Sequence, residues 1–427
     1  MKLWENTLKD PGTGLGKTTV LGLQHTFTMF GATILVPIIL SEFGMNISVA
    51  LFMAGVCTLL FHLLTKGGVP IFLGSSFAFI APIIAAASAH GIDYALGGIV
   101  AAGLIYVLMA VLVYFLGAER IIGWFPPIVT GSIIMVIGLA LAPVAIDMAS
   151  TNGGSEVTAA AWLLALMSFS IVVVVNIFCK GFVKVLPVLI GIVASYLIAA
   201  VITASGAAQL IDFSPIAEAK WFGFPEFTLA KFDVRAIMIV APVAICTMVE
   251  HIGDVMAISA ICGRDFVKKP GLHRTLLGDG LASCLSAMFG GPANTTYSEN
   301  TGVLALTRQF NPAIMRIAAG FAIILSLCPK LGALISTIPT AIIGGISIVL
   351  FGMIASIGAR TLVENKVDFQ QSRNLIIAAV ILVLGIGGAF IPVTIGSVQF
   401  EFYGMALAAI VGIILHQILP GKQQTTE

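Results

Sequence analysis

Hydrophobic positions in this chain fall into long blocks rather than short alternations. Reading apolar runs of about 17 to 25 residues as membrane-spanning helices gives twelve clear candidates. They lie near residues 18–40, 47–64, 94–116, 126–147, 158–178, 186–205, 235–261, 272–290, 312–328, 333–355, 374–391 and 403–419. Two further stretches, 69–88 and 294–308, are apolar in part but interrupted by Pro, Gly and small polar residues. Together the pattern predicts an all-α polytopic membrane protein of fourteen segments, two of them broken.

The basic residues test that count, because Lys and Arg concentrate in cytoplasmic loops. With fourteen spans and a cytoplasmic N-terminus, 17 of the 21 Lys and Arg residues fall on the cytoplasmic side, and only Lys220, Lys231, Arg235 and Lys330 fall outside. Omitting the two broken stretches would invert every loop between them and place Arg264, Lys268, Lys269 and Arg274 outside. Both termini are therefore expected to be cytoplasmic, with residues 1–17 and 420–427 as tails. The polar stretch "MKLWENTLKDPGTGLGKTT" ahead of the first run lacks a small-residue cleavage site, so no removable signal peptide is expected.

The two halves of the chain also resemble each other. "GSIIMVIGLALA" from Gly131 and "GISIVLFGMIAS" from Gly345 share glycines seven residues apart, and "LQHTFTMFGA" at Leu23 matches "VEHIGDVMAI" at Val249. The broken stretches are separated by a similar distance. Two halves of seven spans follow, and because seven is odd the second half enters from the opposite side, which gives an inverted repeat typical of secondary transporters. Gly131, Gly138, Gly345 and Gly352 are expected to let spans 5 and 12 approach their neighbours closely.

Composition agrees: 59% of residues are hydrophobic and only 10% charged, far from the roughly 25% charge of a soluble domain. A net charge of +1 points to no nucleic-acid partner, and there is no glycine-rich phosphate loop. Transport would then be driven by a gradient. The six cysteines form no close pairs, so neither a disulfide framework nor a metal site is expected. The chain is expected in the cell (plasma) membrane, with the lipid bilayer as its surroundings and no cofactor.

Candidate chemistry sits where the pattern is irregular. Non-helical backbone at membrane depth is tolerated only when buried in protein or facing a water-filled cavity. Each broken stretch is read as a short extended piece followed by a half-helix, "PIFL" then "SSFAFIAPII", and "NTTY" then "SENTGVLALT". Half-helices begin with unpaired N–H groups and a positive dipole end, so the two would form a site for carbonyl oxygens or anions. Four carboxylates, Glu250, Asp254, Asp279 and Glu299, lie within spans, where each charged group costs about 2.5 kcal/mol or more. Glu250 and Asp254 are four apart and share a helix face; Asp279 stands between two glycines. His25 and His251 are read as interhelical hydrogen-bonding groups. With no nucleophile paired to a base and no metal cluster in the pattern, an enzyme is not expected.

The stretches "LQHTFTMFGATILVP", "GSSFAF", "VEHIGD", "PGLHRTLLGDGL", "NTTYSENTGVLALTR" and "LVENKVDFQQSRNLI" together resemble the nucleobase/ascorbate transporter family, in particular its bacterial uracil-transporting members, over about residues 18–419. The most specific element is the signature Glu299, Asn300, Thr301, Gly302, then Thr307 and Arg308. The resemblance implies a core domain (18–116 and 235–328) and a gate domain (117–234 and 329–419) with substrate between them. It implies that Glu250 and Glu299 bind the base, that Phe77 faces it, and that Tyr297 and Ser298 offer backbone contacts. Glu299, Asp254 and Glu250 would carry the coupled proton; His25, Ser76, Asp279, Asn300 and Gly302 would support the site. A homodimer is also implied. Uracil offers two ring N–H donors and two carbonyl acceptors, which suits carboxylates, half-helix N–H groups and an aromatic face. One feature departs from the uracil pattern: purine-transporting relatives, rather than some uracil carriers, have Asp at the position of Asp254. That leaves a xanthine or uric acid symporter as the alternative. An inorganic-anion carrier of like architecture would need basic groups where Glu250 and Glu299 stand.

Overall fold

The computed structural model describes residues 14–395 and 398–420. Most of the first half is helical: α1 (Leu15–Ile39), α2 (Ile47–Leu64), strand β1 (Leu73–Ser75), a single 3₁₀ turn at Phe77–Phe79 running into α3 (Ile80–His90), α4 (Ile92–Leu116), α5 (Pro127–Ala140), α6 (Ala142–Thr151), α7 (Ala159–Phe178) and α8 (Pro187–Ala204). The second half holds α9 (Val234–Val240), α10 (Ala244–Cys262), α11 (Leu272–Met288), β2 (Asn294–Thr296), α12 (Ser298–Thr307), α13 (Ala313–Ser326), α14 (Pro329–Ser336), α15 (Thr340–Glu364), α16 (Ser372–Ile386), β3 (Phe390–Ile395), β4 (Val398–Tyr403) and α17 (Gly404–Ile418).

Every apolar run falls on helical structure, some of it divided between two helices, and both broken stretches resolve into a strand followed by a helix. Among the described residues eight helical stretches are long and apolar enough to cross a membrane, counting α5 with α6 and α9 with α10 as one each, and a ninth if α13 and α14, bent by 80°, form one span. Proline sets several breaks. Pro143 follows the junction of α5 and α6, and Pro242 lies in the 3₁₀ turn between α9 and α10, as expected where a ring removes an N–H and clashes with the preceding turn.

Three features depart from the sequence reading. The molecule is not purely helical: β3 and β4 pair antiparallel from Phe390↔Tyr403 to Ile395↔Val398, where the apolar runs suggest only a connection. "VQFEFY" alternates with period two, a strand signal too short to stand out between two helices. The run at 333–355 is displaced, since Pro339 separates α14 from α15 and the long helix continues to Glu364. The first helix begins at Leu15, inside the expected tail; the rest of both tails, 1–13 and 421–427, lies outside the described residues.

Packing joins helices distant in sequence. α11 packs on α4 and α2, and α13 on α1 and α2; α15 packs on α5, α6 and α7, while α16 packs on α17 and α5. The seam between α5 and α15 depends on missing side chains: a Cβ at Gly138 would overlap the Phe351 carbonyl oxygen, and one at Gly345 the carbonyl oxygen of Ala165 on α7. Gly352, expected to behave likewise, has no neighbouring atom within 4 Å of its added Cβ.

Candidate substrate site

The two extended pieces cross at the centre of the helical assembly. β1 and β2 pair antiparallel, Leu73 opposite Thr296, Gly74 opposite Thr295 and Ser75 opposite Asn294. The ladder continues at both ends, with the Ser76 N–H donating to Ala293 O (2.9 Å) and the Tyr297 N–H to Phe72 O (3.1 Å). Each strand is also stapled to a helix by one hydroxyl. Thr58 Oγ1 on α2 accepts from the Leu73 N–H (2.9 Å) and donates to Leu73 O (3.3 Å). Ser283 Oγ on α11 accepts from the Asn294 N–H (3.0 Å) and donates to Asn294 O (3.1 Å). Such buried backbone groups, unpaired, would each cost about 1–3 kcal/mol. Gly74 leaves room for the Tyr297 ring, which a Cβ there would overlap, and the Tyr297 hydroxyl donates to Ser75 O at 3.1 Å.

Beyond the crossing each chain turns helical. Neither the turn at Phe77 nor α12 at Ser298 has a side-chain hydrogen bond capping its start, so first-turn N–H groups remain as donors with partial positive charge. The buried Phe77 ring meets Phe351 of α15 edge-on, centroids 5.9 Å apart at 71°. Glu299 lies in the first turn of α12.

α10 brings the other acids alongside. Glu250 is half-buried and within electrostatic reach of Asp254, Asp279 and Glu299. Asp254 Oδ2 accepts from Thr296 Oγ1 at 2.6 Å, tying α10 to β2. One turn away, His251 Nδ1 stands 3.1 Å from Asp279 Oδ2, both side chains fully buried.

The structure thus gathers Phe77, Ser76, Tyr297, Ser298, Glu299, Glu250, Asp254 and Asp279 around the crossing, though with different surroundings. The Tyr297 N–H is already used by Phe72, so among the backbone groups preceding Glu299 it is not a free donor. Asn300 is buried toward α13, its Nδ2 4.0 Å from Met315 Sδ, and Gly302 lies on the exposed face of α12. His25 departs from expectation. It is buried on α1, but neither ring nitrogen has a hydrogen-bonding partner among the described residues, whereas an interhelical bond was expected. Thr296 and Phe351 were missed by sequence reasoning. Phe351 stood inside the repeated motif "GISIVLFGMIAS", but nothing in the sequence marked Thr296 as the partner of an acid 42 residues away.

Two broken segments whose strands pair antiparallel beside carboxylates, in a multi-pass helical protein, form an arrangement typical of membrane transporters. The chain belongs to the Permease family, whose model matches residues 16–394. It is 46% identical over 419 residues to the uracil permease of Bacillus caldolyticus, covering 97% of this chain and 94% of that one. To the uracil permease of Bacillus subtilis (strain 168) it is 46% identical over 414 residues, covering 94% and 92%. To that of Escherichia coli (strain K12) it is 38% identical over 404 residues, covering 94% and 91%. Among solved structures it resembles the transmembrane domain of a cyanobacterium bicarbonate transporter, BicA, with a TM-score of 0.64 at 16% identity over 94% of this chain and 96% of that one. The murine anion transporter Slc26a9 gives a TM-score of 0.66 at 10% identity, over 94% and 67%. At such identities the likeness concerns the fold alone.

Proposed function

We propose that this permease imports uracil by proton symport, with the base held between a core domain (18–116 and 235–328) and a gate domain (117–234 and 329–419). The observation that carries the reading is the β1–β2 crossing, after which both chains turn helical and Glu299, in the first turn of α12, comes within electrostatic reach of Glu250. In this reading the carboxylates accept the ring N–H groups of uracil, and first-turn N–H groups at Phe77, Ser298 and Glu299 donate to its carbonyls. The Phe77 ring, backed by Phe351 from the gate side, covers a face of the base. Tyr297 shapes the site through Gly74 and Ser75 rather than by offering its own N–H. His25, Ser76, Asp279, Asn300 and Gly302 act in support.

The packing pattern favours fourteen spans as an inverted repeat. Thr58 on the second span and Ser283 on the ninth perform the same double hydrogen bond on β1 and β2, a duplication of chemistry beyond any likeness between apolar helices. The names of the relatives favour uracil over xanthine or uric acid, and Asp254 has an occupation of its own in holding Thr296. Both termini lie in the cytoplasm of a plasma-membrane protein, and the homodimer belongs to the same proposal.

Reconstitution tests it. Proteoliposomes should accumulate labelled uracil when the outside is acidified, and a protonophore should abolish accumulation; unlabelled xanthine should compete poorly. Full accumulation on a sodium gradient with the proton gradient collapsed would overturn proton coupling.

A further inference from the structure

We propose that the basic cavity between the α2–β1 and α10–α11 connections binds a phosphate-bearing anion, supplied as the headgroup of an anionic phospholipid. The cavity holds about 880 Å³ and is lined by Lys66, Arg264, Lys268, Lys269 and Arg274 with a single carboxylate, Asp265. That carboxylate is engaged with Lys268 at 3.5 Å. Among the described residues no acid pairs with Lys66, Arg264, Lys269 or Arg274. Cations gathered within about one Debye length repel one another, so the cavity gains from an anion that bridges them.

Its surroundings select the source of the phosphate. His273, in the cavity wall, meets the Tyr114 ring edge-on at 5.5 Å, and Tyr114 in turn meets Phe115 at 5.3 Å. Tyr114 and Phe115 are 67% and 76% exposed at the end of α4, and Leu63 is 66% exposed at the end of α2. Aromatic rings and basic side chains together at helix ends mark the membrane–water interface, and basic pockets at that level recognise anionic headgroups. A free phosphate would leave these apolar side chains unused; the acyl chains of a lipid would lie against them.

The two connections are already in touch. An Arg274 guanidinium N–H donates to Leu64 O at 3.3 Å, and a Cβ at Gly68 would rest 3.9 Å from Pro270. One leads into β1 and the other leaves α10, which carries Glu250 and Asp254. A headgroup there would clamp both elements of the candidate site from outside it.

The test is thermal unfolding of the purified full chain in neutral detergent. Added phosphatidylglycerol should raise the midpoint by about 2 °C or more, whereas phosphatidylcholine of the same chains and inorganic phosphate at the same concentration should not. The Arg264→Gln/Lys269→Gln variant should lose that rise while binding uracil with the parental affinity, which also shows that it is folded. An equal rise with phosphatidylcholine, a rise with inorganic phosphate alone, or an undiminished rise in the variant would each overturn the proposal.

Discussion

Glu299 and Glu250 carry the polar half of the proposed contact with the base, and they differ in what holds them. Glu299 lies in the first turn of α12, which has no side-chain cap; Glu250 sits one turn before Asp254 on α10, and the Asp254 carboxylate is anchored by Thr296. Glu299→Gln keeps the shape and one carbonyl acceptor but cannot ionise. Removing a charged acceptor from a buried N–H costs roughly 1.5–3 kcal/mol, which corresponds to a tenfold to hundredfold loss of affinity at about 1.4 kcal/mol per decade. Calorimetric titration with uracil should register that loss for Glu299→Gln and no measurable binding for Glu299→Ala, and proton-driven accumulation should vanish in both. Binding within twofold of the parent in both variants would make Glu299 a packing residue.

At the scale of elements, the seam of α5, α7 and α15 depends on glycines that touch backbone. Gly345→Leu would drive a side chain into the Ala165 carbonyl, so uptake should slow more than equilibrium binding weakens, together with a lower unfolding midpoint. Gly352→Ala adds a methyl group where nothing lies within 4 Å and should match the parent in both assays. Equal damage from the two substitutions would mean that the shared seven-residue glycine spacing, rather than the observed contact, governs this seam. The contrast also shows what sequence could and could not supply. Clusters of Pro, Gly and polar residues in "GVPIFLGSS" and "GGPANTTYSEN" announced broken spans, because they cannot continue a helix. The repeat announced both glycine pairs alike. Which glycine faces a backbone, which hydroxyl staples which strand, and that Thr296 holds Asp254 all depend on how helices far apart in sequence settle against each other. The β3–β4 hairpin was missed for a local reason, its six-residue alternation being outweighed by the apolar runs on either side.

For the whole molecule, the proposed mechanism is rocking of gate against core around a site that stays nearly fixed, and the two sets of helices meet in places that make this testable. Gly31 on α1 takes Val188 of α8 so closely that a Cβ there would lie 2.7 Å from the valine side chain. A cleft of about 450 Å³ is lined by Ser41, Phe43 and Ile84 from the proposed core segments and by Pro143, Met148 and Ser336 from the proposed gate segments. Alternating access requires the walls of that cleft to change their separation in each cycle, since binding the same base from both sides with rigid walls would leave one side permanently blocked. Tethering Ser41→Cys to Ser336→Cys with a reducible bifunctional reagent, in a background lacking the six native cysteines, should therefore stop uptake. Uracil binding to the detergent-solubilised, tethered protein should persist, because neither residue is among those proposed to hold the base, and reduction should restore transport. Undiminished uptake by the fully tethered protein would mean that this cleft does not move during the cycle, and that the exchange of access occurs within the half-helices themselves.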